Sequence, residues 1–189
     1  MKLLKNFILI LTLGFVFVAH TQATTVELLA NDNWNEFIVN DEFSTAQGVE
    51  WIDMNDSNAP GYGSALTYQF TIANGFTGHL SVVDGGVTGD NFQIFNNGQS
   101  MGFTSNTTNI IQLSNDFTAN LTNANFSSGV FVLNDGTYNI SGALYSTLQL
   151  FNATNGALKL HVAPVPLPGA FGLFAGGLSV LAFMRRRRV

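Results

Sequence analysis

The chain has 189 residues, with seven Lys and Arg, twelve Asp and Glu, and no Cys. The absence of Cys excludes disulfide frameworks, thiolate zinc sites and Cys nucleophiles. With 46% hydrophobic and 12% aromatic residues, the chain is too apolar to be disordered. Between residues 24 and 163, Lys159 is the only cation against all twelve acids, a net charge of −11. Residues 24–163, called the body from here on, cannot neutralise phosphates, and we expect no nucleic-acid partner.

Residues 1–23 are typical of a secretory signal peptide. Lys2 and Lys5 precede an uncharged apolar run over 7–18, and Thr21, Gln22 and Ala23 offer small residues at the positions that signal peptidase reads. The pattern predicts cleavage after Ala23 and export of the rest. The alternative is a buried core helix or a short membrane anchor.

The other end has a second apolar segment. Prolines at 164, 166 and 168 break any preceding element, and residues 169–184 are sixteen residues without a charge. As a helix they would be about 24 Å long, whereas the hydrocarbon core of a bilayer is about 30 Å thick. Snorkelling by the Arg residues that follow can compensate for this difference. Arg185, Arg186, Arg187 and Arg188 would stay in the cytoplasm. The Lys-bearing front also begins in the cytoplasm. Both ends therefore predict that residues 24–163 lie on the far side of the inner membrane. The alternative is a core helix with a basic end.

The three parts of this end occur in the order of a known sorting signal. Val165, Pro166, Leu167 and Pro168, then the apolar segment, then the Arg cluster resemble a PEP-CTERM sorting tail, with Leu167 where Glu is typical. Such tails belong to exported proteins of Gram-negative bacteria that make exopolysaccharide. The resemblance implies processing by exosortase near the Pro motif, after a transient stay in the inner membrane, and transfer of the body to the cell surface or its release.

Alternation of apolar and polar residues dominates residues 24–163. It predicts strands over 66–72 and 80–83. Three hairpins are predicted over 91–103, 130–140 and 148–162, with turns at 96–98, 134–136 and 155–156. No stretch has a helical apolar period. We therefore expect an all-β fold, an antiparallel β-sandwich or jelly roll, over 24–163, between a signal-peptide helix at 1–23 and a sorting and anchor segment at 164–189.

The body itself resembles small exported bacterial proteins that have the same tail. The resemblance rests on the order of five loose motifs, which lie at 34–39, 51–53, 80–84, 89–98 and 126–133. It implies the sandwich and supplies no mechanism.

One motif fits a hydrolase. Residues 98–102 read Gly-x-Ser-x-Gly around Ser100, and Asp135 and His161 follow in the hydrolase order. The nucleophile elbow needs a strand that turns into a helix. A strand-like stretch follows Ser100 instead, so we expect a hairpin turn and no catalysis.

Two acidic segments are candidates for calcium. Asp53 and Asp56 begin a loop with oxygens at alternate positions, but the closing Glu of an EF-hand is absent. Asp84 and Asp90 flank a Gly-rich turn. Solvated turn acids are the alternative in both places. We expect no other cofactor: His79 and His161 have no nearby acid at zinc-ligand spacing.

Four aromatic residues could form a platform for sugar rings, or could belong to the core: Trp34, Trp51, Tyr62 and Tyr145. The combined expectation is an exported, exosortase-sorted surface or matrix protein without catalytic activity, associated with exopolysaccharide. The alternatives are a carbohydrate-binding module, with or without Ca²⁺, a serine hydrolase, and a matrix protein that self-associates through open sheet edges.

Overall fold

The computed structural model describes residues 23–40, 49–53, 63–108, 110–147, 153–166 and 178. These residues form eleven strands and a helix of one turn. The strands are β1 (Thr24–Glu27), β2 (Asn35–Asn40), β3 (Val49–Glu50), β4 (Leu66–Ile72), β5 (Phe76–Val87), β6 (Asn91–Asn96), β7 (Gln99–Phe103), β8 (Leu113–Ser114), β9 (Ser128–Leu133), β10 (Gly136–Ser146) and β11 (Ala153–Pro164); the helix, α1, is Phe117–Asn120.

The strands form two sheets, which confirms the predicted all-β sandwich. Sheet A has the order β1-β4-β10-β6-β7, with β3 also paired to β10. Sheet B has the order β2-β11-β5-β8, with β9 also paired to β5. The prediction of antiparallel pairing is wrong for one pair, since β1 runs parallel to β4.

The core lies between the inner faces of the sheets. In β4 the predicted alternation is confirmed: Leu66, Tyr68, Phe70 and Ile72 are buried, whereas the polar residues between them are more exposed. The predicted strand at 80–83 lies inside β5, whose Leu80 and Val82 face the same core. The period of two along each strand therefore builds one apolar layer.

Trp51 links the two sheets. Its amide donates to the carbonyl of Gly142 in sheet A at 2.9 Å, and the next amide, of Ile52, donates to Ile38 in sheet B at 2.8 Å. The indole ring is fully buried and stacks on Phe37 of sheet B, with the ring centres 3.8 Å apart. The chain thus crosses from one sheet to the other at this residue.

The predicted hairpin over 91–103 is confirmed. β6 and β7 pair antiparallel, and Asn97 and Gly98 between them have φ angles of 49° and 76°. Two successive positive φ angles define the turn whose twist matches that of the flanking strands, and Asn-Gly is its preferred sequence.

The predicted hairpin over 130–140 is wrong, although both strands exist. β9 pairs with β5 in sheet B, whereas β10 pairs with β4 and β6 in sheet A. Leu133 and Ile140 enter the core from opposite sheets. The turn residues 134–135 are therefore a crossing between sheets, which a turn motif alone does not distinguish from a hairpin.

The predicted turn at 155–156 is also wrong. Asn155 and Gly156 lie inside β11, paired with β2 on one side and β5 on the other. A Cβ at Gly156 would lie 2.5 Å from Cζ of Phe37. Glycine is needed here for the close approach of a ring and not for a turn. Leu148 and Leu150, the other half of this predicted hairpin, lie outside the described residues.

A small second apolar cluster covers the outer face of sheet B. α1 begins at the N-cap Asp116, whose carboxylate accepts from the amides of Thr118 and Ala119. Phe117 packs on Val83 and Ala157, and Trp34 packs beside it. A single turn is too short to produce a helical apolar period in the sequence.

The predicted helices at the two ends fall mostly outside the described residues. These are residues 1–22 of the signal peptide and the predicted span 169–184, of which only Leu178 is described. Within the part of the chain that is described, no helix has the length and apolar character needed to cross a bilayer.

We predict that Gly142→Ala destabilises the fold by about 2 kcal/mol, because the new methyl group overpacks the core. Its Cβ would lie 2.2 Å from Cε2 of Trp51. Urea unfolding of the full-length chain measures the change. Ser141→Ala, one residue earlier on the opposite face, should stay within about 0.5 kcal/mol of the parent. Equal stability of Gly142→Ala and the parent would contradict the packing described for Trp51.

Candidate functional site

A buried polar cluster lies at the end of β5. Asp84 follows Leu80 and Val82 on the inner face of that strand, and its side chain is 0% exposed. Asp90 and Asn91 are also buried, at 6% and 4% exposure. The alternation that builds the core thus carries a carboxyl group into the interior.

The turn after β5 wraps around Asp84. Its Oδ2 accepts from the amides of Gly89 at 3.2 Å and Asp90 at 3.4 Å. Its Oδ1 is buried and has no hydrogen-bond partner. Burial, and then the nearby charge of Asp90, raise the pKa of Asp84 to about 8, against the weaker opposing effect of the amide bonds.

Asn91 is fixed from the side of β7. Its Nδ2 donates to the carbonyls of Thr104 at 2.7 Å and Ser105 at 2.9 Å. These two bonds define the orientation of the amide, because a flipped amide would place its oxygen against two carbonyls. The correctly placed Oδ1 is buried and has no hydrogen-bond partner.

Ser127 joins the surroundings of Asp84 to those of Asn91. Its carbonyl accepts from the amide of Asp84 at 2.9 Å, and its hydroxyl donates to the carbonyl of Ser105 at 2.5 Å. From α1, Asn120 donates to the carbonyl of Asp84 at 3.2 Å. Backbone and side-chain bonds from four segments therefore hold the cluster in place.

Of the four predicted calcium residues, the structure brings Asp84 and Asp90 together. Asp53 lies instead on the connection from β3 to β4, where its backbone pairs with Ser64 and Gly63. Asp56 lies outside the described residues. In the described ranges, no group of three or more His, Asp or Glu side chains is placed to hold a metal ion. A cation at Asp84 and Asp90 would therefore need amide or carbonyl oxygens as well.

A second feature is a groove of about 390 Å³ on the outer face of sheet A. Side chains from four strands line it, among them Glu50, Thr67, Gln93 and Ser141. Gln93 of the groove pairs in register with Phe103, whose ring lies against that of Tyr145 with the ring centres 4.5 Å apart. Both rings are exposed, at 47% and 63%. Paired aromatic faces beside polar side chains suit a ligand with an apolar face and hydroxyl groups.

The four predicted platform aromatics do not form one surface. Trp51 belongs to the core, as the alternative interpretation had it. Trp34 lies on sheet B, with Nζ of Lys159 at 4.7 Å from the centre of its ring, whereas Tyr145 lies on sheet A. Tyr62 lies outside the described residues.

The three predicted hydrolase residues have other hydrogen-bond partners. Ser100 lies on β7 in sheet A and accepts from Nε2 of Gln93 at 3.0 Å. His161 lies on β11 in sheet B, and its Nδ1 is 2.9 Å from Oδ2 of Asp32. Asp135 lies in the crossing from β9 to β10. Strand β7, and no helix, follows the turn at Gly98.

The sorting residues are described only in part. Ala23 is exposed and directly precedes β1. Val165 follows β11, and its amide donates to the carbonyl of Gly75 at 2.8 Å. Pro166 is the last described residue before 178; Leu167, Pro168 and the cluster Arg185, Arg186, Arg187 and Arg188 lie outside the described residues.

Several residues of these two sites were missed in the sequence. Asn91 directly follows the candidate Asp90, and Phe103 ends the predicted strand, so both were open to prediction from their neighbours. Ser127 and Asn120 are distant in sequence from Asp84 and had no local signal. Only the pairing of β9 with β5 brings Ser127 there.

No family model matches the chain, and no curated protein matches it. Among solved structures, it is similar to the pre-peptidase C-terminal domain of a collagenase from Bacillus anthracis, at 12% identity and a TM-score of 0.34, over 74% of this chain and 94% of that one. It is also similar to PliG of Aeromonas hydrophila, a periplasmic inhibitor of g-type lysozyme, at 12% identity and a TM-score of 0.36, over 75% of this chain and 98% of that one. At these scores neither likeness assigns a function.

We predict that, in buffer with EDTA, the stability of the full-length chain falls as pH rises from about 4 to about 8. The pKa of Asp84 is raised from its ordinary value of 3.8 to about 8 in the native state, so the native state binds this proton more tightly than the unfolded state does. The free energy of unfolding should therefore fall by up to about 5 kcal/mol over this pH range. Urea unfolding at each pH measures the slope.

The comparison variant for this slope is Asp84→Asn, which should remove most of it, because the amide does not ionise. The exposed control Asp135→Asn should keep it, which separates Asp84 from general charge repulsion. A parent whose stability stays flat or rises from pH 4 to 8 would contradict the burial of the Asp84 carboxyl group.

Proposed function

We propose that the chain is an exported, non-catalytic β-sandwich protein that exosortase sorts to the cell surface or extracellular matrix. The observation that carries the proposal is the order of the three tail elements: the Pro motif at Val165–Pro168, the uncharged segment 169–184 and the Arg cluster 185–188. Signal peptidase and exosortase would be its processing enzymes, and inner-membrane lipid its transient partner.

The position of the tail relative to the sandwich supports this proposal. β1 begins at Thr24, directly after Ala23, and β11 ends at Pro164. The last strand is paired on both sides, and the amide of Val165 makes a backbone bond to Gly75. Cleavage near or beyond Pro166 would break none of these bonds, so the body would keep its sheets when the tail is removed.

Charge supports the proposed topology. The Lys-bearing front and the Arg cluster both favour the cytoplasmic side, and the body between them has one Lys and twelve acids. Such a body is repelled by anionic lipid head groups. We infer that it stands in the periplasm, anchored by a signal-peptide helix and then by a C-terminal transmembrane helix, until the tail is cut.

The absence of catalysis is part of the proposal. Ser100 is bonded to Gln93 and His161 to Asp32, so neither residue activates the other in this arrangement. The hydrolase interpretation needs a hydroxyl beside a base and an oxyanion hole.

We predict that replacing Arg185–Arg188 together by Ser abolishes surface display, because the tail then lacks the charge that stops its translocation. Surface labelling of intact cells of an exosortase-bearing host, with immunoblotting of the medium, measures the outcome. The matched control replaces the same four Arg by Lys and should be displayed normally. Normal display of the Ser variant would show that the Arg cluster has no such role.

A second candidate function is saccharide binding on the outer face of sheet A. It is favoured by the exposed pair Phe103 and Tyr145 beside the groove with Glu50 and Gln93. Aromatic faces pack on the apolar faces of sugar rings. A carboxylate accepts hydrogen bonds from sugar hydroxyls, and a side-chain amide both donates and accepts them. Exopolysaccharide of the host is the ligand this candidate requires.

We predict that Phe103→Ala combined with Tyr145→Ala weakens binding to the host's exopolysaccharide at least about tenfold, because losing the apolar contact area of two rings costs about 1.4 kcal/mol or more, and each 1.4 kcal/mol is tenfold in affinity. Affinity electrophoresis in gels containing that polysaccharide measures it. The control, Val130→Ala with Val132→Ala, removes two exposed side chains (54% and 66%) from sheet B. Equal retardation of all three proteins would exclude this face as the binding site.

A further inference from the structure

Asp84, at the end of β5, places a carboxyl group in the interior beside a second acid, Asp90. Asp84 and Asp90 are 0% and 6% exposed, and the charge of Asp90 raises the cost of ionising Asp84. Lys159, the only Lys or Arg between residues 24 and 163, lies with its amino group over Trp34. A buried carboxylate without a cation is unfavourable unless a proton or a metal ion neutralises it.

The atoms left without partners are both acceptors. Oδ1 of Asp84 and Oδ1 of Asn91 have no hydrogen-bond partner, and both are fully enclosed. The Nδ2 of Asn91 donates to two carbonyls, and so the amide cannot flip to place its NH2 group where Oδ1 lies. Two unpartnered oxygens, one from a carboxylate and one from an amide, next to a second carboxylate, are a donor set for a hard cation.

The structure around these oxygens is preorganised. The amides of Gly89 and Asp90 hold Oδ2 of Asp84, while Oδ1 of the same carboxyl group is buried and makes no hydrogen bond. Ser127 bonds both to the backbone of Asp84 and to the carbonyl of Ser105, which also accepts from Asn91. Asp84 and Asn91 are thereby tied to one rigid segment, as a metal site requires of its ligands.

We propose that Asp84, Asp90 and Asn91 form a binding site for one Ca²⁺ ion, independently of the sorting tail. Ca²⁺ accepts carboxylate, amide and carbonyl oxygens in flexible geometry, whereas Mg²⁺ retains several waters and fits an enclosed site poorly. With two carboxylates, the site should have a Kd on the order of 10⁻⁴ to 10⁻³ M, as in extracellular modules. The ion would fix the turn after β5 to the start of β6.

Calcium titration of the full-length chain, purified in detergent, tests the proposal. Thermal unfolding at pH 7.5 is followed in EDTA, in about 10 mM CaCl₂, in about 10 mM MgCl₂ and in NaCl of equal ionic strength, and isothermal titration with CaCl₂ gives the stoichiometry. We expect one site, and a midpoint at least about 3 °C higher in CaCl₂ than in NaCl. MgCl₂ should give less than half of that increase.

Three variants locate the ion. Asp84→Asn and Asp90→Asn should each weaken calcium binding at least tenfold, and the exposed control Asp135→Asn should bind within twofold of the parent. If Asp84→Asn does not fold, Asp90→Asn alone decides the location. A parent without a calcium-dependent midpoint would overturn the proposal and leave a protonated Asp84 as the neutral form. Parent-like binding by Asp90→Asn would equally overturn it.

Discussion

Burial of the Asp84 carboxyl is the constraint on which much of this structure depends. Its side chain holds the turn after β5 through Gly89 and Asp90, its carbonyl accepts from Asn120 of α1, and its amide donates to Ser127 before β9. The turn after β5, α1 and the segment before β9 thus meet at one residue. Because desolvation disfavours its ionised form, the same residue links the packing of this end of the sandwich to the protons and cations around it.

The apolar layer and the polar end have different roles. The stack of Trp51 on Phe37 joins the sheets without any charge pair, which suits a body that has almost no cations. The outer face of sheet A remains available, since the groove and the rings of Phe103 and Tyr145 lie on the side of this sheet away from the core. Stability is therefore provided between the sheets, and residues on the outer face of sheet A can vary without disturbing the core.

The sequence was sufficient for the fold class and insufficient for the connections. Alternation in 66–72 and the Asn97-Gly98 turn are local signals, and both predictions were confirmed. Gly156 and the 134–136 turn misled because a glycine also serves the close approach of a ring, here Phe37, and a turn also serves a crossing between sheets. The two acids of the site, Asp84 and Asp90, could be predicted from the sequence because they flank a Gly-rich turn. Ser127 and Asn120 reach it through pairing that no local pattern encodes.

A crystal structure of the protein grown in CaCl₂ tests the account of Asp84 most directly. We expect one strong density peak, with anomalous signal, at about 2.3 to 2.6 Å from Oδ1 of Asp84 and Oδ1 of Asn91, as for Ca²⁺ bound to oxygen. An Asp84 side chain turned out to solvent, or an enclosed Oδ1 with neither a cation nor a proton-donating partner, would contradict it.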